Sequence, residues 1–137
     1  MTLPRKRPKR KKLLGFATPK RALNLRSMVK DLDRLAKEAT MQRAGRRCER
    51  CGTADRLQWH HVYSRRIQSL RWDLDNLVIL CAGHHLWWHH NPMDATQWFQ
   101  EYAPPDRIER LRLKRMTVRR TDLAGLRILL QNQVGER

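Results

Sequence analysis

The sequence predicts a small α+β domain whose core is stapled by metal, flanked by helices and preceded by a basic, disordered arm. Three observations predict it. Apolar residues recur at helical spacing on both sides of a central stretch that holds two short strand-like runs. That stretch, residues 46–103, contains all three cysteines, all six histidines and all five tryptophans. The 137 residues include 30 Lys+Arg against 13 Asp+Glu, a formal net charge of +17. With 40% hydrophobic residues the core is modest, and a core of that size calls for a metal or disulfides. The charge excludes an acidic binding surface. It favours a polyanion, nucleic acid first and an anionic membrane second.

Residues 1–21 form the arm. Residues 1–30 carry 11 Lys+Arg and no acid, and the run Pro4 to Lys12 repels itself and has nothing to bury. Such a run suits a nucleic-acid arm, a nuclear localisation signal or a solubilising tail. No apolar stretch follows it as a secretory signal requires. The longest aliphatic run, Leu77-Val78-Ile79-Leu80, is far too short to span a membrane. The expectation is therefore a reducing, cytoplasmic compartment. There three cysteines more readily bind metal than each other.

Residues 22–45 read as a flanking helix. Leu25, Met28, Val29, Leu32, Leu35 and Ala36 recur at spacings of three and four, Lys30, Asp31, Arg34 and Lys37 fall off that stripe, and Gly45 ends it. A plain packing helix is the preferred reading. Within 46–103 the pattern gives a strand from Leu57 to Val62, a long loop from Tyr63 to Asn76 and a strand from Leu77 to Cys81. A helix follows from about Gly83. Pro92 stops it, and Asp94 caps a further helix running through Trp98 to Tyr102. The tryptophans read as packing residues, with Trp72 left open as a base-stacking platform. Residues 104–137 carry 9 Lys+Arg and 4 acids. Pro104-Pro105-Asp106 opens one helix with Ile108, Leu111 and Met116, and Thr121 caps a last one with Leu123, Leu126, Leu129 and Leu130. This basic amphipathic pair suits DNA binding, packing on the core or dimerisation equally.

The chemistry lies in the middle. Cys48-Glu49-Arg50-Cys51-Gly52 sets two thiolates two residues apart on a tight turn, and Cys81-Ala82-Gly83-His84 repeats the spacing. Together they make a Cys₃His site suited to tetrahedral zinc; the bland alternative is three buried thiols and an unrelated histidine. His60 and His61 are neighbours on a strand, so their rings point to opposite faces. His85 and His89 are four apart on a helix, share a face and can chelate one ion. His84 has Trp88 four residues on and is left for the cysteines. His90 is turned about 100° from His89, toward solvent.

Taken in order, Cys48-x-x-Cys51, Trp59-His60-His61-Val62, Leu74-Asp75-Asn76-Leu77 and Cys81-Ala82-Gly83-His84-His85 with His89 resemble the motif of the HNH endonucleases over residues 46–92. The resemblance implies a ββα-metal (HNH, or His-Me finger) core, DNA as the partner, and hydrolysis to 3′-hydroxyl and 5′-phosphate ends. Position by position it implies His61 as general base and Asn76 as the brace of the loop. It implies His60, His85 and His89 as ligands of one catalytic divalent ion, and Cys48, Cys51, Cys81 and His84 as ligands of a structural Zn²⁺. His60 stands where many members have Asp, and His84 where the common pattern has Cys. Three imidazoles point to Zn²⁺, Ni²⁺ or Mn²⁺ before Mg²⁺, a hard ion that prefers oxygen. Arg65, Arg66 and Arg71 lie in the loop beside the expected site and suit phosphate contact or a solvated face. A non-catalytic zinc-stabilised nucleic-acid-binding module, or a basic RNA-associated scaffold, uses fewer of these residues. No small-molecule substrate or membrane is expected. The flanking helices leave room for a protein partner or a homodimer. A phage or mobile-element origin, and with it a bacterial or phage-infected host cytoplasm, is an analogy with small stand-alone members of the family.

Overall fold

A computed structural model of the chain describes residues 20–117 and 119–135, with side chains from Asn24. Apart from Lys20 and Arg21, the expected basic arm lies outside these residues. The described part is α+β and mostly helical: α1 (Lys20–Arg43), β1 (Leu57–His61), α2 (Gln68–Arg71), β2 (Leu77–Cys81), α3 (Ala82–His90), α4 (Pro92–Tyr102), α5 (Pro105–Met116) and α6 (Leu123–Gly135). Among the described residues no helix is long and apolar enough to cross a membrane.

β1 and β2 pair antiparallel, with Trp59 opposite Ile79, His60 opposite Val78 and His61 opposite Leu77. Two strands alone bury too little to persist in water, and here helices cover both faces. On one face Val78 and Leu80 pack with Leu70, Trp88, Phe99 and Leu111. On the other, Leu77 and Trp72 pack with Leu32, Leu35 and Ala36 of α1 and Leu130 of α6. This explains why β2 reads as an unbroken aliphatic run: a strand buried on both sides has no polar face to alternate. β1 alternates more freely, sending His60 to the α3 side and Trp59 and His61 toward α1.

The helix ends follow local chemistry, with differences from expectation. α1 closes in a Schellman turn, Arg46 N–H to the Met41 carbonyl at 2.9 Å and Gly45 N–H to that of Gln42 at 3.1 Å. Gly45 supplies the required positive φ of 62°. Asp94 does not cap α4. Pro92 opens that helix and Asp94 lies within its first turn, because a proline at the first position needs no N–H partner. Thr121 does not cap α6 either. The Asp122 carboxylate accepts from Gly125 N–H at 3.1 Å, one residue later than expected. The segment Tyr63–Asn76 is not a plain loop: it contains α2 and a 3₁₀ turn, Leu74–Asn76, capped by the Asp73 side chain on Asp75 N–H. Trp72 is a core residue, 2% exposed, which rules out base stacking.

α5 is pinned to this segment by charge. Arg110 grips Asp75 through Nε at 2.9 Å and Nη2 at 3.0 Å, and Lys114 reaches Asp73 at 2.7 Å and Asp75 at 3.1 Å. Burial pushes the Asp75 carboxyl up, but Arg110 and Lys114 outweigh it and hold its pKa below the usual value. A depressed folded-state pKa contributes stability above the unfolded value, about 3.9, which is lost as pH falls through the folded one. Asp75→Asn should therefore cost about 1 kcal/mol at neutral pH. In urea titrations the difference from the parent should close as pH drops below the ordinary carboxylate range.

Candidate metal centres

The first centre is assembled from a turn and a strand–helix junction. Gly52, at φ 77°, lets the chain fold back so that Gly52 N–H reaches the Cys48 carbonyl at 2.8 Å. Cys48 and Cys51 then face Cys81, the last residue of β2, and His84 in the first turn of α3. Cys48 Sγ is 3.6 Å from His84 Nδ1, Cys81 Sγ is 3.4 Å from the same atom, and Cys51 Sγ is 3.9 Å from Cys81 Sγ. All four ligand atoms lie within 4.8 Å of one another. Metal–sulfur bonds of about 2.3 Å and metal–nitrogen bonds of about 2.0 Å give tetrahedral edges of about 3.5–3.8 Å. The Cys₃His group is therefore positioned to hold a metal ion, and the cysteines are free of disulfides.

The electrostatics agree. Burial disfavours the Cys48 thiolate, yet backbone N–H groups of Cys81, Cys51 and Arg50 and the His84 ring bring its pKa down to about 6. Cys51 moves the other way: the Thr53 N–H lowers it, but burial and the Cys48 and Cys81 sulfurs raise it more. One thiolate prepared by amide donors and a second repelled by its neighbours is an arrangement that a dication relieves.

The second group draws on another face of the same helix, starting at the residue after His84. His85 and His89 face His60 across the β1–α3 interface, with ring centroids 5.2 Å from His60 to each and 4.7 Å between them. Their ligand atoms too lie within 4.8 Å of one another. Burial, helped by the charges of His85, His89 and His61, lowers the His60 pKa to about 3. Burial and His89 lower that of His85. Such imidazoles are neutral at physiological pH, the form that binds metal. His90 is exposed on the other side of α3.

The three histidines open on a cleft of about 700 Å³, also lined by Lys37, Gln58, Trp59, His61, Ser64 and Arg65. His61 is half-buried, and its Nε2 lies 2.9 Å from the Arg71 carbonyl. A carbonyl only accepts, so Nε2 carries the proton and Nδ1 keeps its lone pair. Desolvation lowers the His61 pKa against the opposing pull of that hydrogen bond.

That carbonyl is itself held. Asp33 of α1 accepts from Arg71 Nε at 3.1 Å and Nη2 at 2.8 Å, and from Trp72 Nε1 at 2.7 Å. Asn76 is fully buried and braces the segment from within. Its Oδ1 accepts from Tyr63 N–H at 2.7 Å, and its Nδ2 donates to the Tyr63 and Leu70 carbonyls, each at 3.0 Å. Of the arginines singled out from sequence, Arg65 lines the cleft and Arg66 is exposed, while the Arg71 guanidinium is committed to Asp33.

Asp33 and Lys37 are the residues that sequence reasoning missed. They lie four apart on one face of α1, a signal available in the sequence, but only packing shows that this face borders the cleft. Comparison with known protein families, curated proteins and solved structures returns no match.

The chain should take up two divalent ions. His89→Ala should remove one and leave the far-UV circular dichroism unchanged. Cys81→Ser should remove the other and lower the melting temperature, because the metal ties the turn at Cys48 to β2. Atomic emission on dialysed protein gives the count. In Co²⁺-loaded protein the thiolate charge-transfer band should vanish only in the cysteine variant.

Proposed function

We propose that this chain is a metal-dependent DNA endonuclease of the HNH type. In this reading β1, β2 and α3 are its ββα-metal core, Cys48, Cys51, Cys81 and His84 hold a structural Zn²⁺, and His60, His85 and His89 hold one catalytic divalent ion. The observation that carries the reading is His61: a ring with Nε2 tied to a backbone carbonyl, on the rim of the cleft into which three other imidazoles converge.

The reaction follows from what the residues can do. His61 Nδ1 accepts a proton from water as the water oxygen attacks phosphorus. The P–O3′ bond breaks, and the 3′ oxygen leaves and takes a proton from solvent, to which His61 later returns its own, giving 3′-hydroxyl and 5′-phosphate ends. A histidine is a suitable base near neutral pH. When bound, the divalent ion supplies positive charge beside the phosphoryl and leaving oxygens. The three-imidazole donor set fits Zn²⁺, Ni²⁺ or Mn²⁺ better than Mg²⁺. Arg65 and Arg66 neutralise flanking phosphates. Asn76 and Asp33 are positioning residues: Asn76 closes the segment from Tyr63 to Leu70, and Asp33 fixes Arg71, whose carbonyl orients His61. A non-catalytic zinc-stabilised nucleic-acid-binding module needs only the Cys₃His group and leaves the convergence of His60, His85 and His89 without a use.

Supercoiled plasmid incubated with each divalent metal should be nicked or linearised. His61→Ala should lose at least about 100-fold in rate while binding DNA as the parent does; undiminished cutting by that variant refutes the assignment of the base. Asp33→Ala should lower kcat about 10–100-fold, the usual cost of removing an outer-shell orienting group, with KM little changed. Asp33→Glu, which keeps an acceptor, should recover part of it.

A further inference from the structure

We infer that one face of α1 is a phosphate-backbone track that leads duplex DNA into the cleft, with Lys37 as its inner end. The inference rests on the nuclease reading for its ligand, but it stands on a separate observation, the distribution of charge.

Most described carboxylates are consumed by nearby cations. Asp31 pairs with Arg34 and Arg127, Glu38 with Arg46, Glu49 with Arg43, and Asp75 with Arg110 and Lys114. Among the described residues, none that lines the cleft is acidic. Arg26, Lys30, Lys37, Arg65 and Arg66 are exposed and, among the described residues, their side chains make no ion pair or hydrogen bond. Exposed arginines elsewhere also lack a carboxylate partner, but Arg50 and Arg115 lie over the Trp87 and Tyr63 rings and Arg47 bonds the Gly52 carbonyl; the unpaired cations of the cleft and α1 are the ones that form a continuous line.

Helical geometry aligns them. At about 100° per residue, Arg26, Lys30 and Lys37 fall within an arc of about 40°, roughly a third of a turn from the buried stripe of Leu32, Leu35 and Ala36. Asp33, the acid on this face, is cancelled bidentately by Arg71. The inner end is fixed independently of helical arithmetic, since Lys37 lines the cleft beside His60, His61 and Arg65. From residue 26 to residue 37 the helix rises about 16 Å, at about 1.5 Å per residue. One DNA strand advances about 3.4 Å of axis per phosphate, so the track spans about five phosphates. A straight, rigid line of cations ending in a concave site suits a polymer of regularly spaced phosphates. A flat lipid headgroup surface cannot follow it into the cleft.

The test uses the full chain in a His61→Ala background, so that binding is read without cutting. Affinity for a short duplex is measured by fluorescence anisotropy over a range of salt. The variant Arg26→Gln/Lys30→Gln/Lys37→Gln should flatten the log K against log[salt] slope by about 2–3, since each phosphate neutralised by the protein adds about 0.9 to it. The control Arg46→Gln/Arg56→Gln/Arg112→Gln removes the same charge from exposed, acid-paired positions and should change the slope by less than about 1. Lys37→Arg should keep the parent slope, and circular dichroism reports that α1 remains folded. Equal flattening in both triples, or none in the α1 triple, overturns the track. So does α1-dependent binding that is stronger for single-stranded RNA or anionic vesicles than for the duplex. A chain that cuts no DNA but shows the expected slopes keeps the track and loses the nuclease. A chain that cuts but shows no slope change does the reverse.

Discussion

β2 ends at Cys81 and α3 begins at Ala82, with no residue between them. A strand that passes straight into a helix fixes the direction of the first helical side chains relative to the sheet. His84 is thereby turned back toward the cysteines, and its neighbour His85 is turned across β1 toward His60. Two ligand groups are hung from one rigid junction. The junction can hold because β2 is buried on both faces and cannot shift without exposing Val78, Leu80 and Leu77 together.

The second constraint is the segment between the strands. It must leave β1 at His61 and return at Leu77 while presenting a carbonyl to the His61 ring. Backbone groups inside a protein need partners, and Asn76 supplies three of them from a fully buried side chain. From the outside, α1 contributes Asp33 and α5 contributes Arg110 and Lys114. The flanking helices thus do more than cover apolar surface: their charged side chains hold the segment that orients His61. The same division explains where positive charge remains free. On the supporting side Arg71, Arg110 and Lys114 are taken up by carboxylates, whereas Lys37 and Arg65 at the cleft are not.

Much of this was legible in the chain itself. The spacing of Cys48, Cys51, Cys81 and His84 marks one ligand group, and His85 and His89 mark another, because helical and turn geometry are local properties. β2 was legible to the residue, as an aliphatic run bounded by Asn76 and Cys81. The helix starts were less legible: Asp94 and Thr121 look like caps by residue type, while Pro92 and Asp122 set the true boundaries. The short helices inside Tyr63–Asn76 leave no trace in the pattern, since four residues carry no period.

The sequence alone determined which residues can bind metal, where the strands lie and that the surface is strongly basic. These depend on composition and on neighbours within one turn or one strand. Only the tertiary structure decided that His60 meets His85 and His89, that Arg71 serves Asp33, and that Lys37 borders the cleft. Each of those joins elements distant along the chain, and their meeting is set by how the helices cover both faces of a two-stranded sheet, a packing outcome that no local pattern encodes.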